Sequence, residues 1–298
     1  MKISFLALTA FLCTSALTLS ACSASDSSAS AHGPVKVVAS TNVYGDLVDH
    51  IGGDRVEVTS LIDSPDKDPH EYQATARDQL AISSAALIVE NGGGYDPFID
   101  TMRAASSSSV PVVMATVVAD GPHADINEHV WYDFGVIRSV VTTIADKLST
   151  IDPSNSSTYS ANAATLTGDI GGLIEREKQL KSSLAGRSIA ITEPVPLYLT
   201  DALGLTNLTP EAVSEAIEQG TDIPAALMQQ TRALFSDRKV AALIYNQQTE
   251  GAQTTAMLDA AKAAGIPAVG VTETLPDGTN YVGWMTANLN AIQAALSQ

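Results

Sequence analysis

The segment PSNSSTYSANAATLTGDIGGLIEREKQLKSSL, residues 153–184, carries the longest uninterrupted helical pattern in the chain. Tyr159, Ala163, Leu166, Ile170, Leu173, Leu180 and Leu184 recur at spacings of four and three, with Glu177 filling the one gap. That is the apolar stripe of an amphipathic helix. At ~1.5 Å per residue such a helix spans about 45 Å, more than one small domain needs. Ser154 or Asn155 can cap its start and Gly186 its end. The pair Gly171-Gly172 lowers helix propensity and permits a bend, so two shorter helices are the alternative.

On both sides of this segment, short β-branched runs alternate with helical patterns. On the N-terminal side, Val35–Ser40, Val56–Ile62, Ala86–Glu90 and Val110–Val118 read as strands. Helices are expected over 44–51, 75–85 (Thr75 as N-cap) and 97–105, and from His129 to about Ser149. On the C-terminal side, Arg187–Thr192, Val240–Tyr245 and Pro267–Val271 read as strands. Helices are expected over 196–203, 210–219, 224–236, 252–264 and 281–296. Strand–helix alternation predicts parallel sheets covered on both faces. The expected fold is therefore α/β, with two lobes joined by one long backbone helix. Each lobe is a mostly parallel sheet flanked by helices. The boundaries are 34–152 for the first lobe, 153–185 for the linking helix and 186–298 for the second.

The N-terminus reads as a processing signal. Met1-Lys2 precedes an apolar run to Leu19, and Leu19-Ser20-Ala21-Cys22 matches a bacterial lipoprotein box. Residues 1–21 would be the signal peptide, Cys22 the lipidated first residue and 22–33 a Ser/Ala-rich tether. An ordinary secretory signal is the alternative. The expected location is extracytoplasmic, lipid-anchored to the cell membrane. Cys13 lies inside the signal, so no internal disulfide and no Cys-based zinc site remain. The 298-residue chain is 45% hydrophobic and carries a net charge of −17. With no basic run, nucleic-acid binding is excluded.

In parallel α/β sheets, ligands bind beyond the C-terminal ends of the strands. The ionisable residues placed there are His70 in Asp68-Pro69-His70-Glu71-Tyr72, His123, His129 in Asn127-Glu128-His129-Val130-Trp131-Tyr132-Asp133, Glu193, and Glu250 in Asn246-Gln247-Gln248-Thr249-Glu250. Two imidazoles from one lobe can meet two carboxylates from the other, a donor set suited to Mn, Fe or Zn that neutralises a dication. Plainer readings stand beside this one. His32 and His50 read as surface or satisfied core residues, and His123 as a loop histidine or an auxiliary metal ligand. Glu193 can serve a helix N-terminus, and Glu250 can cap the helix at Ala252. Trp131 and Tyr132 read as packing beneath the site. Asn91-Gly92-Gly93-Gly94 lacks the Lys-Ser/Thr of a phosphate loop and reads as a tight strand-to-helix turn.

Together, Leu19-Ser20-Ala21-Cys22, Asp68-Pro69-His70-Glu71-Tyr72, Asn91-Gly92-Gly93-Gly94-Tyr95-Asp96 and Glu128-His129-Val130-Trp131 resemble the zinc/manganese solute-binding lipoproteins of bacterial ABC importers. The likeness covers nearly the whole mature chain. It implies a metal ion held between two lobes as transported ligand, delivery to an ABC permease, and no catalysis. His70 and His129 fall at the first-lobe ligand positions. Glu193 falls where the family has His or Glu, and Glu250 where manganese-type members have Asp. The run Asp63–Lys67 departs from the family in lacking its Gly, and the residues around Glu250 differ from the usual ones.

Two carboxylates favour Mn²⁺ or Fe²⁺, while the Irving–Williams order favours Zn²⁺. The loop before His129 holds only His123, short of the His-rich loop of zinc-type members. The protein is read as a monomer. Two other functions fit parts of the pattern: a zinc hydrolase on the same scaffold, and an adhesin-like surface module. No His-Glu-x-x-His element supports the first.

Overall fold

The computed structural model describes residues 33–64, 72–106, 109–120, 126–249 and 251–297. The expectations for Cys22, His32, His70, His123 and Glu250 lie outside them.

The first lobe runs β1 (Val35–Thr41), α1 (Asn42–Gly52), β2 (Val56–Ile62), α2 (Ala76–Ser84), β3 (Leu87–Glu90), α3 (Pro97–Ala105), β4 (Val112–Met114), α4 (Ala115–Asp120) and α5 (Phe134–Ile151). The linking helix is α6 (Ser156–Leu184). The second lobe runs β5 (Ser188–Ile191), α7 (Leu197–Ala202), β6 (Thr206–Asn207), α8 (Glu211–Glu218), α9 (Ala225–Ser236), β7 (Ala242–Asn246), α10 (Ala252–Ala264), β8 (Ala268–Val271) and α11 (Tyr281–Leu296).

Both sheets are four-stranded, in the orders β2-β1-β3-β4 and β6-β5-β7-β8, and every described strand pair is parallel. The strand order reverses between β1 and β3, and again between β5 and β7. Connections diverge at these points and leave crevices at the strand C-termini.

The alternation of side chains explains the layering. Val37 and Ala39 of β1, Leu87 and Val89 of β3, Ile189 and Ile191 of β5, and Ala242 and Ile244 of β7 enter one central core. Their neighbours Val38 and Ile88 enter an outer first-lobe core, and Ala190 and Leu243 an outer second-lobe core. Both faces of each sheet are thus covered, as near-continuous apolar strands require.

The linking helix is one helix of 29 residues, running through Gly171-Gly172. Tyr159, Ala163, Leu166, Ile170, Leu173, Leu180 and Leu184 are all buried against the central core shared by both lobes. Each such Leu or Ile contributes about 1.5–3 kcal/mol. Glu177, the gap in the stripe, is buried with them at 8% exposure. Burial, and then the charge of Asp133, pushes its carboxyl up to about 8. Asn155 holds the N-cap position but makes no cap bond, and its amide Nδ2 donates to Asp152.

The structure corrects several expected elements. Val110–Val118 is not one strand: β4 stops at Met114 and α4 begins at Ala115. Thr116 gives both its backbone N–H and its hydroxyl to the Asn91 carbonyl, which turns the chain out of the ladder. The helix expected from His129 is a 3-10 turn (Val130–Tyr132) followed by α5, with Asp133 capping Gly135 and Val136. β6 has only two residues and no sequence pattern of its own. Thr75 does cap α2, in a reciprocal capping box with Asp78. Among the described residues no helix is long and apolar enough to cross a membrane.

Candidate metal centre

His129 lies in the loop between α4 and α5 and is fully buried. Its orientation is fixed from Asn127. The Asn127 Oδ1 accepts from the His129 backbone N–H (3.1 Å) and bonds the ring Nδ1 (2.6 Å), while its Nδ2 donates to the Pro194 carbonyl (3.1 Å). These partners set the amide's orientation. An oxygen facing Nδ1 requires that nitrogen to carry the proton, so Nε2 is the ring's electron-pair donor. Trp131 stands edge-on to the imidazole at 5.1 Å and Tyr95 at 6.2 Å. Trp131 and Tyr95 therefore wall the imidazole, and Tyr132 packs behind Trp131 at 6.3 Å.

Tyr95 is delivered by the triple-glycine turn after β3. Gly92 and Gly93 have φ of +76° and +68°, and a Cβ on either would meet Thr116 within 3 Å. Asp96 closes this turn by accepting from the backbone N–H groups of Asn91 and Gly92, both at 2.7 Å. The Asn91 side chain accepts from Tyr44 Oη and donates to the Glu128 carbonyl (2.9 Å). The end of β3 is thereby tied to the His129 loop.

The second lobe supplies carboxylates. Glu193 follows β5 and Glu273 follows β8, and each is 2% exposed. The Asn246 amide at the end of β7 lies between them, with Nδ2 at 2.7 Å from Glu193 Oε2 and 2.7 Å from Glu273 Oε1. Thr249 Oγ1 also accepts from it, at 2.9 Å. Gln248 pins the Glu273 loop from the other side. Its Oε1 accepts from the backbone N–H groups of Glu273 (2.6 Å) and Thr274 (3.0 Å). Glu193 is not a helix N-terminal charge, because α7 starts only at Leu197.

The lobes meet across this cleft. His129 Nε2 is 4.0 Å from Glu273 Oε2 and 3.6 Å from Glu218 Oε1 at the end of α8. The Tyr95 phenol faces Glu273. Burial, and then that carboxylate, raises its pKa well above the ordinary tyrosine value. Burial and the charges of Glu128, Glu193 and Glu215 push the Glu218 carboxyl up to about 8. The imidazole lone pair and the carboxylates opposite it gather more acceptor atoms than the Asn246 amide and the Tyr95 phenol supply donors for, a lining that suits a cation. Among the described residues, no three His, Cys, Asp or Glu side chains already converge as a finished cage.

The model of the family "Zinc-uptake complex component A periplasmic", ZnuA, matches residues 37–295. The chain belongs to this family. ZnuA-family proteins are metal-binding components of ABC uptake systems, and this one is not an enzyme. The manganese-binding lipoprotein MntA of Halalkalibacterium halodurans is 27% identical over 236 residues, covering 72% of this chain and 78% of that protein. The zinc-binding protein TroA of Treponema pallidum is 26% identical over 289 residues, 91% of each. A solved structure of the periplasmic TroA superimposes with a TM-score of 0.76 at 24% identity, covering 89% of this chain and 100% of that one.

The strand-end reading thus brings His129 and Glu193 to one cleft. It passes over Glu273 and Glu218. Glu273 carries the same signal as Glu193, a carboxylate just past a parallel strand, here in Val271-Thr272-Glu273-Thr274. Glu218 carries none, being one acidic residue at the end of an amphipathic helix.

Proposed function

We propose that this ZnuA-family protein captures one divalent transition-metal ion between its lobes and hands it to an ABC permease. The ligands are His70, His129, Glu193 and Glu273. The observation that carries the reading is His129 Nε2 opposed across the cleft by the second-lobe carboxylates, with Glu273 at 4.0 Å. Glu273 replaces Glu250 as the fourth ligand because it faces the imidazole, and because Asn246 orients it together with Glu193. Two imidazoles with two carboxylates suit Mn²⁺, with Zn²⁺ the stronger competitor in solution. The lipoprotein box supports anchoring through lipid on Cys22.

Metal titration of the chelator-stripped protein tests this. His129→Ala and Glu273→Ala should each lose Mn²⁺ and Zn²⁺ binding, and Glu250→Ala should keep it. Tight binding by His129→Ala would refute the site.

A further inference from the structure

We propose that Glu218 is an additional ligand of the captured ion, giving the second lobe three carboxylate donors and tilting the site toward Mn²⁺. This rests on the cleft site described above and adds a residue to it.

The distance comes first. Glu218 Oε1 is 3.6 Å from His129 Nε2, nearer than Glu273 Oε2 at 4.0 Å. Donor atoms held ~2.1 Å from one five-coordinate ion at angles of about 90–120° stand about 3.0–3.6 Å apart. Both carboxylates fall near that separation from the imidazole.

The placement of Glu218 is costly without a cation. It is the last residue of α8, where the helix dipole disfavours negative charge. Its charged neighbours Glu128, Glu193 and Glu215 are all acidic. The base that faces it is the His129 imidazole, whose Nε2 carries the lone pair rather than a proton, and its side chain is only 16% exposed. Val213 and Ile217 bury α8 against the second-lobe core, so the carboxylate is delivered by an anchored helix rather than a loose loop. A site that gains a third carboxylate becomes harder, which favours Mn²⁺ relative to Zn²⁺.

The test compares Mn²⁺ and Zn²⁺ affinities of the native protein, Glu218→Gln, Glu218→Ala and His129→Ala, with thermal melts to verify folding. Both Glu218 variants should weaken Mn²⁺ by about 10-fold or more and Zn²⁺ by clearly less, lowering the Mn/Zn ratio. X-ray absorption of Mn²⁺-loaded Glu218→Ala should show one carboxylate fewer around the ion. An unchanged ratio, or tighter Mn²⁺ binding, in folded Glu218 variants overturns the proposal. If His129→Ala still loses both metals in that case, the cleft site stands and only Glu218 is removed from it. If His129→Ala binds both like the native protein, the cleft site itself falls.

Discussion

The first lobe aims one imidazole, and the second aims a group of carboxylates, by different means. His129 is set by its neighbour Asn127 and by the edges of Trp131 and Tyr95. Every one of those contacts is local or apolar. Glu193 and Glu273 lie 80 residues apart in sequence and are held as a pair by Asn246, which comes from a third strand. The first-lobe half is stiffened by short-range hydrogen bonds and ring packing, and the second-lobe half by a polar network that joins the ends of three strands. A polar network is more exposed to single substitutions, since removing one member leaves others buried without their bond.

The largest effect should come from His129→Ala, which removes a ligand while the second-lobe network stays intact. Its loss of metal affinity should exceed the ~10–100-fold typical of supporting residues, as read by isothermal titration. Asn246→Ala should follow, at about 10–100-fold, because both carboxylates lose their shared donor. Asn127→Ala should cost less, about 10-fold, since Trp131 and Tyr95 still confine the ring. If Asn127→Ala proves the more damaging of the two, the contrast between the halves is wrong.

Strand and helix alternation made the two-lobe plan legible, and the four-three stripe of α6 located its axis residue by residue. What stayed illegible has physical causes. Val110–Val118 reads as a strand by β-branching, but hydrogen bonds from Thr116 to Asn91 end it at Met114. Glu273 is one of 33 acidic residues, and only the end of β8 singles it out. The strand-end rule reaches it when applied to every strand rather than to β5 and β7 alone. Glu218 owes its place to how α8 packs, which its own sequence does not encode.

The stiffness of the frame can be tested as well. Tyr132 Oη donates to Thr272 O (2.8 Å), Tyr281 Oη to Trp131 O (2.7 Å), and Asn42 pairs twice with Leu275 (both 2.9 Å), all between lobes. Scattering profiles of metal-free and Mn²⁺-loaded protein should superimpose, because these bonds and α6 resist a hinge. A large compaction would contradict this.

The smallest effect concerns Glu177. Its carboxyl is raised to about 8 in the folded protein, so the proton stabilises the fold. That stability is full below the unfolded value near 4.5 and is lost as pH rises through about 8. Glu177→Gln should melt ~2–4 °C higher than the native protein at pH 8.5, with no gain at pH 4.

Anomalous diffraction from crystals of the Mn²⁺-loaded protein tests the central claim most directly. The account predicts one manganese peak between the lobes, bonded to His129 Nε2 and to oxygens of Glu193 and Glu273. A peak bound by one lobe alone, or one with Glu273 turned away from it, would contradict the account.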